Sequence, residues 1–281
     1  MTDAPLGVFD SGLGGLTVVH ALTQALPDEH IVYLGDTARV PYGTRSAETV
    51  VRYARGCAKV LTGRGVKALV IACNTVSAVA LEILRAELDL PVVGVVEPGA
   101  RAAVEAAEAE ARSRGQPVKI GVLGTQGTIL SGAYPRAVSQ LSTRLDVVGQ
   151  AAPLLVPLVE EGWLDGQVPE LCVRRYLEPL FAQGAGVIVL GCTHYPLLAP
   201  VIARVAEELA GHAVPIVDSA LATARDVTRL MQEGRLSPAG PSGSETPRLE
   251  VLVTDRPRSF AEVASRFLGE RAPEVAQIDL G

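Results

Sequence analysis

Leu69-Val70-Ile71-Ala72-Cys73-Asn74-Thr75 and Val187-Ile188-Val189-Leu190-Gly191-Cys192-Thr193-His194 decide how this chain is read. In each stretch an apolar run rich in Val and Ile has the character of a strand buried on both faces of a parallel sheet. A cysteine ends each run, and small hydrogen-bonding residues follow it. Both thiols are therefore expected at the carboxyl ends of strands, the edge of an open α/β sheet where ligands bind.

The two cysteines stand 192 − 73 = 119 residues apart, and other segments repeat at similar offsets. Gly7-Val8-Phe9-Asp10-Ser11-Gly12 is matched by Gly121-Val122-Leu123-Gly124-Thr125-Gln126-Gly127, 114 residues on, and Pro91-Val92-Val93-Gly94-Val95 by Val214-Pro215-Ile216-Val217-Asp218, 124 residues on. The outer two pairs fit plain repetition of strand-loop-helix units equally well. The cysteine pair points to an internally doubled chain.

Strands are expected at Leu6 to Phe9, Ile31 to Leu34, Ala68 to Ile71, Val92 to Val95, Val118 to Leu123, Leu145 to Val148, Val187 to Leu190, Val214 to Val217 and Leu249 to Val253. Helical periodicity fills the gaps at Ser46 to Leu61, Thr75 to Glu87, Gly99 to Arg114, Val168 to Gln183, Leu198 to Leu209 and Ala220 to Glu233. Pro98 and Pro169 fall where a helix start tolerates proline, and Gly184 where a helix stops. The fold class is α/β, with mainly parallel sheets. Arg235 to Pro247 has the composition of a loop or linker. A strand and a helix, Ser259 to Leu268, follow it and should pack back onto the first half.

Composition bounds the chemistry. The chain has 281 residues, 48% of them hydrophobic, enough for one or two substantial cores. Its net charge of −6 includes only three lysines, Lys59, Lys67 and Lys119, and its arginines are scattered. Without a basic block to neutralise phosphates, nucleic acid is not the expected ligand. There is no signal-peptide pattern and no apolar run long enough for a membrane span, so a cytoplasmic, non-membrane protein is expected. Four cysteines, with no C-x-x-C or Cys/His cluster, read as reduced thiols and imply no metal site. Cys57 and Cys172, inside helical patterns, read as core packing.

Asp10-Ser11-Gly12-Leu13-Gly14-Gly15-Leu16 opens a helix after the first strand. A dinucleotide fingerprint would need glycine at position 17, which is threonine, and the Gly-Lys-Ser/Thr of a phosphate loop is absent. The glycines fit either a small anion approaching unpaired helix amides or a tight turn alone. Asp10, at the end of the first strand, faces the crevice that Cys73 faces. Two thiols with no evident cofactor suit stereochemical inversion. One thiolate takes a proton from one face of a carbon while the other thiol delivers a proton to the opposite face. A free thiol, with pKa ~8.5, can reach both forms near neutrality. Asp10 beside Cys73 and His194 beside Cys192 can exchange a proton with their cysteines or orient them. His20, His30 and His212 have no such neighbour.

Read in order, Asp10-Ser11-Gly12-x-Gly14-Gly15-Leu16, Gly35-Asp36-Thr37-Ala38-Arg39 with Pro41-Tyr42-Gly43, Ala72-Cys73-Asn74-Thr75, Val96-Glu97-Pro98-Gly99, Gly124-Thr125-x-Gly127-Thr128 and Gly191-Cys192-Thr193-His194-Tyr195-Pro196 resemble bacterial glutamate racemase. The resemblance runs from about Leu6 to about Ser219. It implies two pseudo-symmetric α/β domains, 1–97 with 214–281 and 98–213, with the active site in the cleft between them. It implies a cofactor-independent isomerase that supplies D-glutamate for peptidoglycan, hence for the cell wall and cell shape. A cytoplasmic homodimer is implied as well.

On that model Cys73 works from the D-glutamate side and Cys192 from the L-glutamate side, with Asp10 and His194 as partners and Glu160 assisting His194. Asp10, Ser11, Pro41, Tyr42, Gly43, Asn74, Thr75, Thr125, Thr193 and His194 would bind the substrate. Glu160 precedes Glu161 and suits a charged helix surface equally well; Tyr42 suits packing. Two places depart from the family pattern: Ala152, where relatives often carry Cys-Pro, and Gly124, commonly alanine. The alternatives are an aspartate racemase, whose relatives tend to carry Glu where His194 stands, and a non-catalytic amino-acid-binding protein of the same fold, which would be expected to lack a thiol or Asp10.

Overall fold

The computed structural model describes residues 4–239, 248–255, 257–269 and 274–280. From its amino end the chain runs β1 (Leu6–Asp10), α1 (Leu16–Ala25), β2 (Ile31–Gly35), α2 (Ala47–Gly63), β3 (Ala68–Ile71), α3 (Asn74–Glu87) and β4 (Val92–Gly94). It continues through α4 (Val96–Arg114), β5 (Lys119–Gly124), α5 (Gln126–Leu130), α6 (Ala133–Leu141), β6 (Val147–Ala151), α7 (Leu155–Glu160) and α8 (Gln167–Ala182). Then come β7 (Ala185–Gly191), a 3-10 turn (Tyr195–Leu198), α9 (Ala199–Ala210), β8 (Ile216–Asp218), α10 (Ser219–Gln232), β9 (Leu249–Val253), α11 (Pro257–Leu268) and β10 (Val275–Gln277). Among the described residues no helix is long and apolar enough to cross a membrane.

The chain divides into two compact units, Met1–Val95 with Thr223–Gly281, and Val96–Ala222. The first holds a six-stranded sheet in the order β10-β9-β2-β1-β3-β4, and the second a four-stranded sheet in the order β6-β5-β7-β8. All of these strand pairs are parallel. The orders β2-β1-β3-β4 and β6-β5-β7-β8 are the same, so the doubling read from the cysteines is present in the topology.

The central strands form where the apolar runs predicted them. β1, β2, β3 and β7 are buried along their whole length. Each fully buried Leu, Ile or Val there contributes about 1.5–3 kcal/mol relative to exposure. α2 and α3 pack on the first sheet through a core that includes Phe9, Leu34, Val50, Cys57, Leu61, Leu69, Ile71 and Val76. Cys57 is thus core packing, as its helical setting predicts. Ser46 caps α2 by accepting from the Thr49 amide at 3.3 Å, and Gly184 follows α8 with φ +89°.

The sheet edges depart from the pattern in the sequence. β6 begins two residues later than expected and runs to Ala151, because its pairing with β5 continues to Gly124 opposite Ala151. Val214 to Val217, assigned to the first domain, instead contributes to β8, whose Ile216 and Val217 pair with Ile188 and Val189 of β7 in the second sheet. β10 was not anticipated. The expected return of the C-terminal segment is observed, since β9 pairs with β2 and β10 with β9. Of the loop expected at Arg235 to Pro247, residues 240–247 lie outside the described residues.

Candidate active site

In the first unit, β1 and β3 run in register with Phe9 opposite Ile71. One further step sets Asp10 beside Ala72, and the next sets Ser11 beside Cys73. The chemistry follows that register: the Cys73 thiol donates to Ser11 Oγ at 3.4 Å. Cys73 is also the N-cap of α3, in extended conformation, and is 6% exposed. Asn74 and Thr75, the first residues of α3, are buried beside it.

The Asp10 carboxylate is buried and accepts from the Gly12 amide at 3.0 Å. The glycine loop therefore turns at least one amide toward the protein's own carboxylate. Its tightness has a steric cause: a Cβ on Gly15 would lie 2.5 Å from the Cβ of Asp10. Beneath the loop, the Tyr33 hydroxyl donates to the Gly12 carbonyl at 2.9 Å.

The segment between β2 and α2 carries Pro41, Tyr42 and Gly43. Pro41 is exposed, Gly43 is partly exposed and Tyr42 is buried. The Tyr42 hydroxyl donates to Asp36 Oδ2, so it is engaged inside the unit. Burial and the neighbouring anion raise the Tyr42 hydroxyl well above its ordinary pKa, which keeps it a donor. Asp36, fully buried, also accepts from Arg39 Nε at 2.7 Å and from Thr254 Oγ1 at 2.9 Å. Asp36 falls within the Gly35-Asp36-Thr37-Ala38-Arg39 motif, and the sequence alone assigns it no role. Its position at the end of β2, like that of Asp10 at the end of β1, was the available signal. Burial pushes the Cys57 thiol upward, with the Asp36 charge adding to the effect; it is an inert contrast to Cys73.

In the second unit the same register recurs. β5 and β7 pair with Gly124 opposite Gly191, and the next step sets Thr125 beside Cys192. Ser11 and Thr125 are thus equivalent, as are Cys73 and Cys192. A Cβ on Gly191 would lie 2.7 Å from the Leu123 carbonyl oxygen, so the strand can approach its neighbour here only as glycine. Thr125 caps α5 by accepting from the Thr128 amide at 3.2 Å, and Thr193 is buried.

Cys192 Sγ stands 3.9 Å from His194 Nδ1, and His194 Nε2 stands 3.0 Å from Glu160 Oε1. The Glu160 side chain, at the end of α7, is 44% exposed, against 10% for the imidazole. Burial opposes charge on His194, but hydrogen bonding to Cys192 and to Glu160 outweighs it and pushes the group up to about 10. The imidazole thus stands between the Cys192 sulfur and the Glu160 carboxylate, and both neighbours favour its charged form.

Tyr195 steadies this turn by donating to the Ala152 carbonyl at 2.8 Å and the Gly124 carbonyl at 3.3 Å. These are the two departures from the family pattern. Both contribute backbone oxygens, so the contact is indifferent to their side chains. The lysines lie away from these strand ends: Lys59 within α2, Lys119 at the start of β5, and Lys67 just before β3, where it pairs with Glu29 at 2.6 Å.

Residues 10–227 match the model of the Asp/Glu/hydantoin racemase family. The glutamate racemase of Geobacter metallireducens is 48% identical over 276 residues, covering 98% of this chain and 96% of that protein. The solved glutamate racemase isoform RacE1 from Bacillus anthracis superposes with a TM-score of 0.87 at 37% identity, over 99% of this chain and 98% of that one. That of Francisella tularensis in complex with D-glutamate gives 0.87 at 33% identity, over 99% and 98%. A strand-end cysteine in each of two like-ordered sheets, each with its own proton-carrying neighbours, is accounted for by that kinship: the chain belongs to the Asp/Glu/hydantoin racemase family.

Proposed function

We propose that the chain interconverts L- and D-glutamate without a cofactor, one of Cys73 and Cys192 removing a proton from one face of the α carbon while the other delivers a proton to the opposite face. The observation that carries this reading is the equivalence of the two thiols, Cys73 beside Ser11 and Cys192 beside Thr125, in sheets of the same strand order. On this reading one thiolate removes the α proton and becomes a thiol, while the opposing thiol delivers its proton to the other face and becomes a thiolate. The substrate leaves with its hydrogen count unchanged and its configuration inverted. The enzyme is left ready for the reverse direction.

Cys73 serves the D-glutamate side with Asp10 as its partner, and Cys192 the L-glutamate side with His194. Glu160, 3.0 Å from His194 Nε2, holds the imidazole oriented and charged. Ser11, Asn74, Thr75, Thr125 and Thr193 supply donors to the substrate carboxylates. The loop at Pro41, Tyr42 and Gly43 contributes through its backbone, since the Tyr42 hydroxyl is engaged by Asp36. Glutamate as substrate is supported by the relatives named above, one of them a complex with D-glutamate. A mechanism without pyridoxal phosphate, which needs a lysine for its Schiff base, is supported by where the lysines fall: Lys59 within α2, and Lys67 and Lys119 at the starts of β3 and β5, the opposite ends from those that bear the thiols. The product, D-glutamate, serves peptidoglycan synthesis in the cytoplasm, and the working form is a homodimer.

Racemisation assays with each enantiomer of glutamate and of aspartate, on purified protein with no cofactor added, test the substrate. Glutamate should turn over in both directions, and aspartate at least about a hundredfold more slowly, the discrimination open to a site whose polar donors are left unpaired by a shorter substrate. Equal rates on aspartate would replace this reading with that of a broader racemase, and no turnover of either would favour a binding protein.

A further inference from the structure

We infer that Thr254, in the C-terminal segment, is a positioning residue for the loop carrying Pro41, Tyr42 and Gly43, acting through the buried carboxylate of Asp36. The inference rests on the proposed role of that loop in holding substrate. Because β9 lies beside β2 with Val253 opposite Gly35, Thr254 and Asp255 leave their strand alongside Asp36 and Thr37. Hydrogen bonds between described residues join the two segments. Thr254 Oγ1 donates to Asp36 Oδ1 at 2.9 Å and accepts from the Ala38 amide at 2.8 Å. Thr37 Oγ1 donates to the Asp255 carbonyl at 2.7 Å and accepts from the Asp255 amide at 2.8 Å. The Thr254 amide donates to the Gly35 carbonyl at 3.2 Å.

The other oxygen of Asp36 reaches the substrate loop itself. Asp36 Oδ2 accepts from Tyr42 and from Arg39 Nε. The Arg39 guanidinium in turn lies over the Tyr53 ring, 4.4 Å from its centroid, which ties the loop to α2. On the far side, the Asp36 amide donates to the Asp10 carbonyl at 3.1 Å. Asp36 is thus a buried hub between the end of β1, the end of β9 and the Tyr42 turn. Neutral donors on both oxygens and one cation satisfy it, and removing any of them loosens a group that cannot turn to water. Of these contributors Thr254 alone lies past Ser219, beyond the motifs read from the sequence.

The decisive variant is Thr254→Val, which keeps the shape and removes the hydroxyl. The expected result is a KM for both glutamate enantiomers raised about five- to tenfold, the lower end of what unpairing one buried polar group costs, with kcat within about twofold. Thr254→Ser should restore KM. A merely structural role would lower thermal stability without this split or this rescue. Thr37→Val, which severs the Asp255 half of the clamp, is read instead if Thr254→Val does not fold, and should raise KM in the same sense. A wild-type KM in the variant read, a loss confined to kcat, or failure of serine to rescue overturns the inference. Wild-type enzyme assayed in parallel separates the two levels: if it racemises glutamate, such a result sinks the positioning role alone, and if it does not, the loop's substrate role falls and this inference with it.

Discussion

The half bearing Cys73 and the half bearing Cys192 share strand order and register, and they differ in what surrounds the sulfur. Beside Ser11 and Cys73 the preceding strand ends in Asp10; beside Thr125 and Cys192 its equivalent ends in Gly124. The second half compensates from the other side of its cysteine, where His194 stands at the position equivalent to Thr75 and recruits Glu160 from α7. A fold can be doubled while its chemistry is not. One cysteine is hydrogen-bonded to Ser11, next to the Asp10 end of β1; the other stands by an imidazole held by a carboxylate. In the proposed reaction, whose two directions call on opposite thiols, that asymmetry would give each direction its own assisting group.

The comparison breaks most visibly at the sulfurs. Cys73→Ala and Cys192→Ala should each lower glutamate racemisation at least about a thousandfold, because a site with one proton carrier serves one face only. Near-normal activity in either variant would mean that the halves are not partners in one reaction.

A sharper contrast comes from the assisting groups. Asp10→Asn and His194→Asn should each cost about 10²- to 10⁴-fold in kcat/KM, the usual range for a positioned acid or base. The enantiomers have equal free energy, so kcat/KM must fall equally in both directions for each variant. The asymmetry should appear in isotope effects. Asp10→Asn should raise the effect for α-deuterated D-glutamate and lower it for L-glutamate, and His194→Asn should do the reverse. Identical patterns in the two variants would remove the assignment of one group to each thiol.

The smallest effect belongs to Glu160, whose side chain is 44% exposed and therefore screened. Glu160→Gln should reduce turnover about two- to fivefold near neutrality, in keeping with a solvent-exposed pair. It should also lower the His194 pKa from about 10, since one of the two hydrogen bonds that hold it up loses its charge. The sign for stability follows. A histidine raised above its unfolded value of about 6.5 contributes stability in full below that pH and loses it as pH rises through about 10, so the variant should lose that contribution at lower pH. Imidazole resonances followed by NMR titration check the shift, and an unmoved His194 would show that Cys192 alone sustains it.

What the sequence disclosed follows from how each element is stabilised. β3 and β7 are buried on both faces and leave continuous apolar runs, and their cysteines are marked by coming directly after. β10 is three residues at a sheet edge, half-exposed β6 has no such run, and α5, capped by Thr125, and α7, which has no side-chain cap, are too short to show periodicity. Asp10 and His194 were legible because they lie within three residues of a strand end already under suspicion. Asp36 and Thr254 are 218 residues apart, and their meeting depends on β9 inserting beside β2, which pattern alone does not disclose. Tyr42 lies in a quoted motif, but that its hydroxyl is engaged by Asp36 is visible only in the fold.

The most direct test of the two-thiol account is solvent isotope incorporation during the first turnovers in deuterated water, starting from each pure enantiomer. The account predicts deuterium at the α carbon of the product and a recovered substrate that stays protiated, because the proton taken by one thiol is not the one delivered by the other. Rapid deuteration of the recovered substrate, or product that retains its original proton, would indicate a single base that works on both faces and would contradict it.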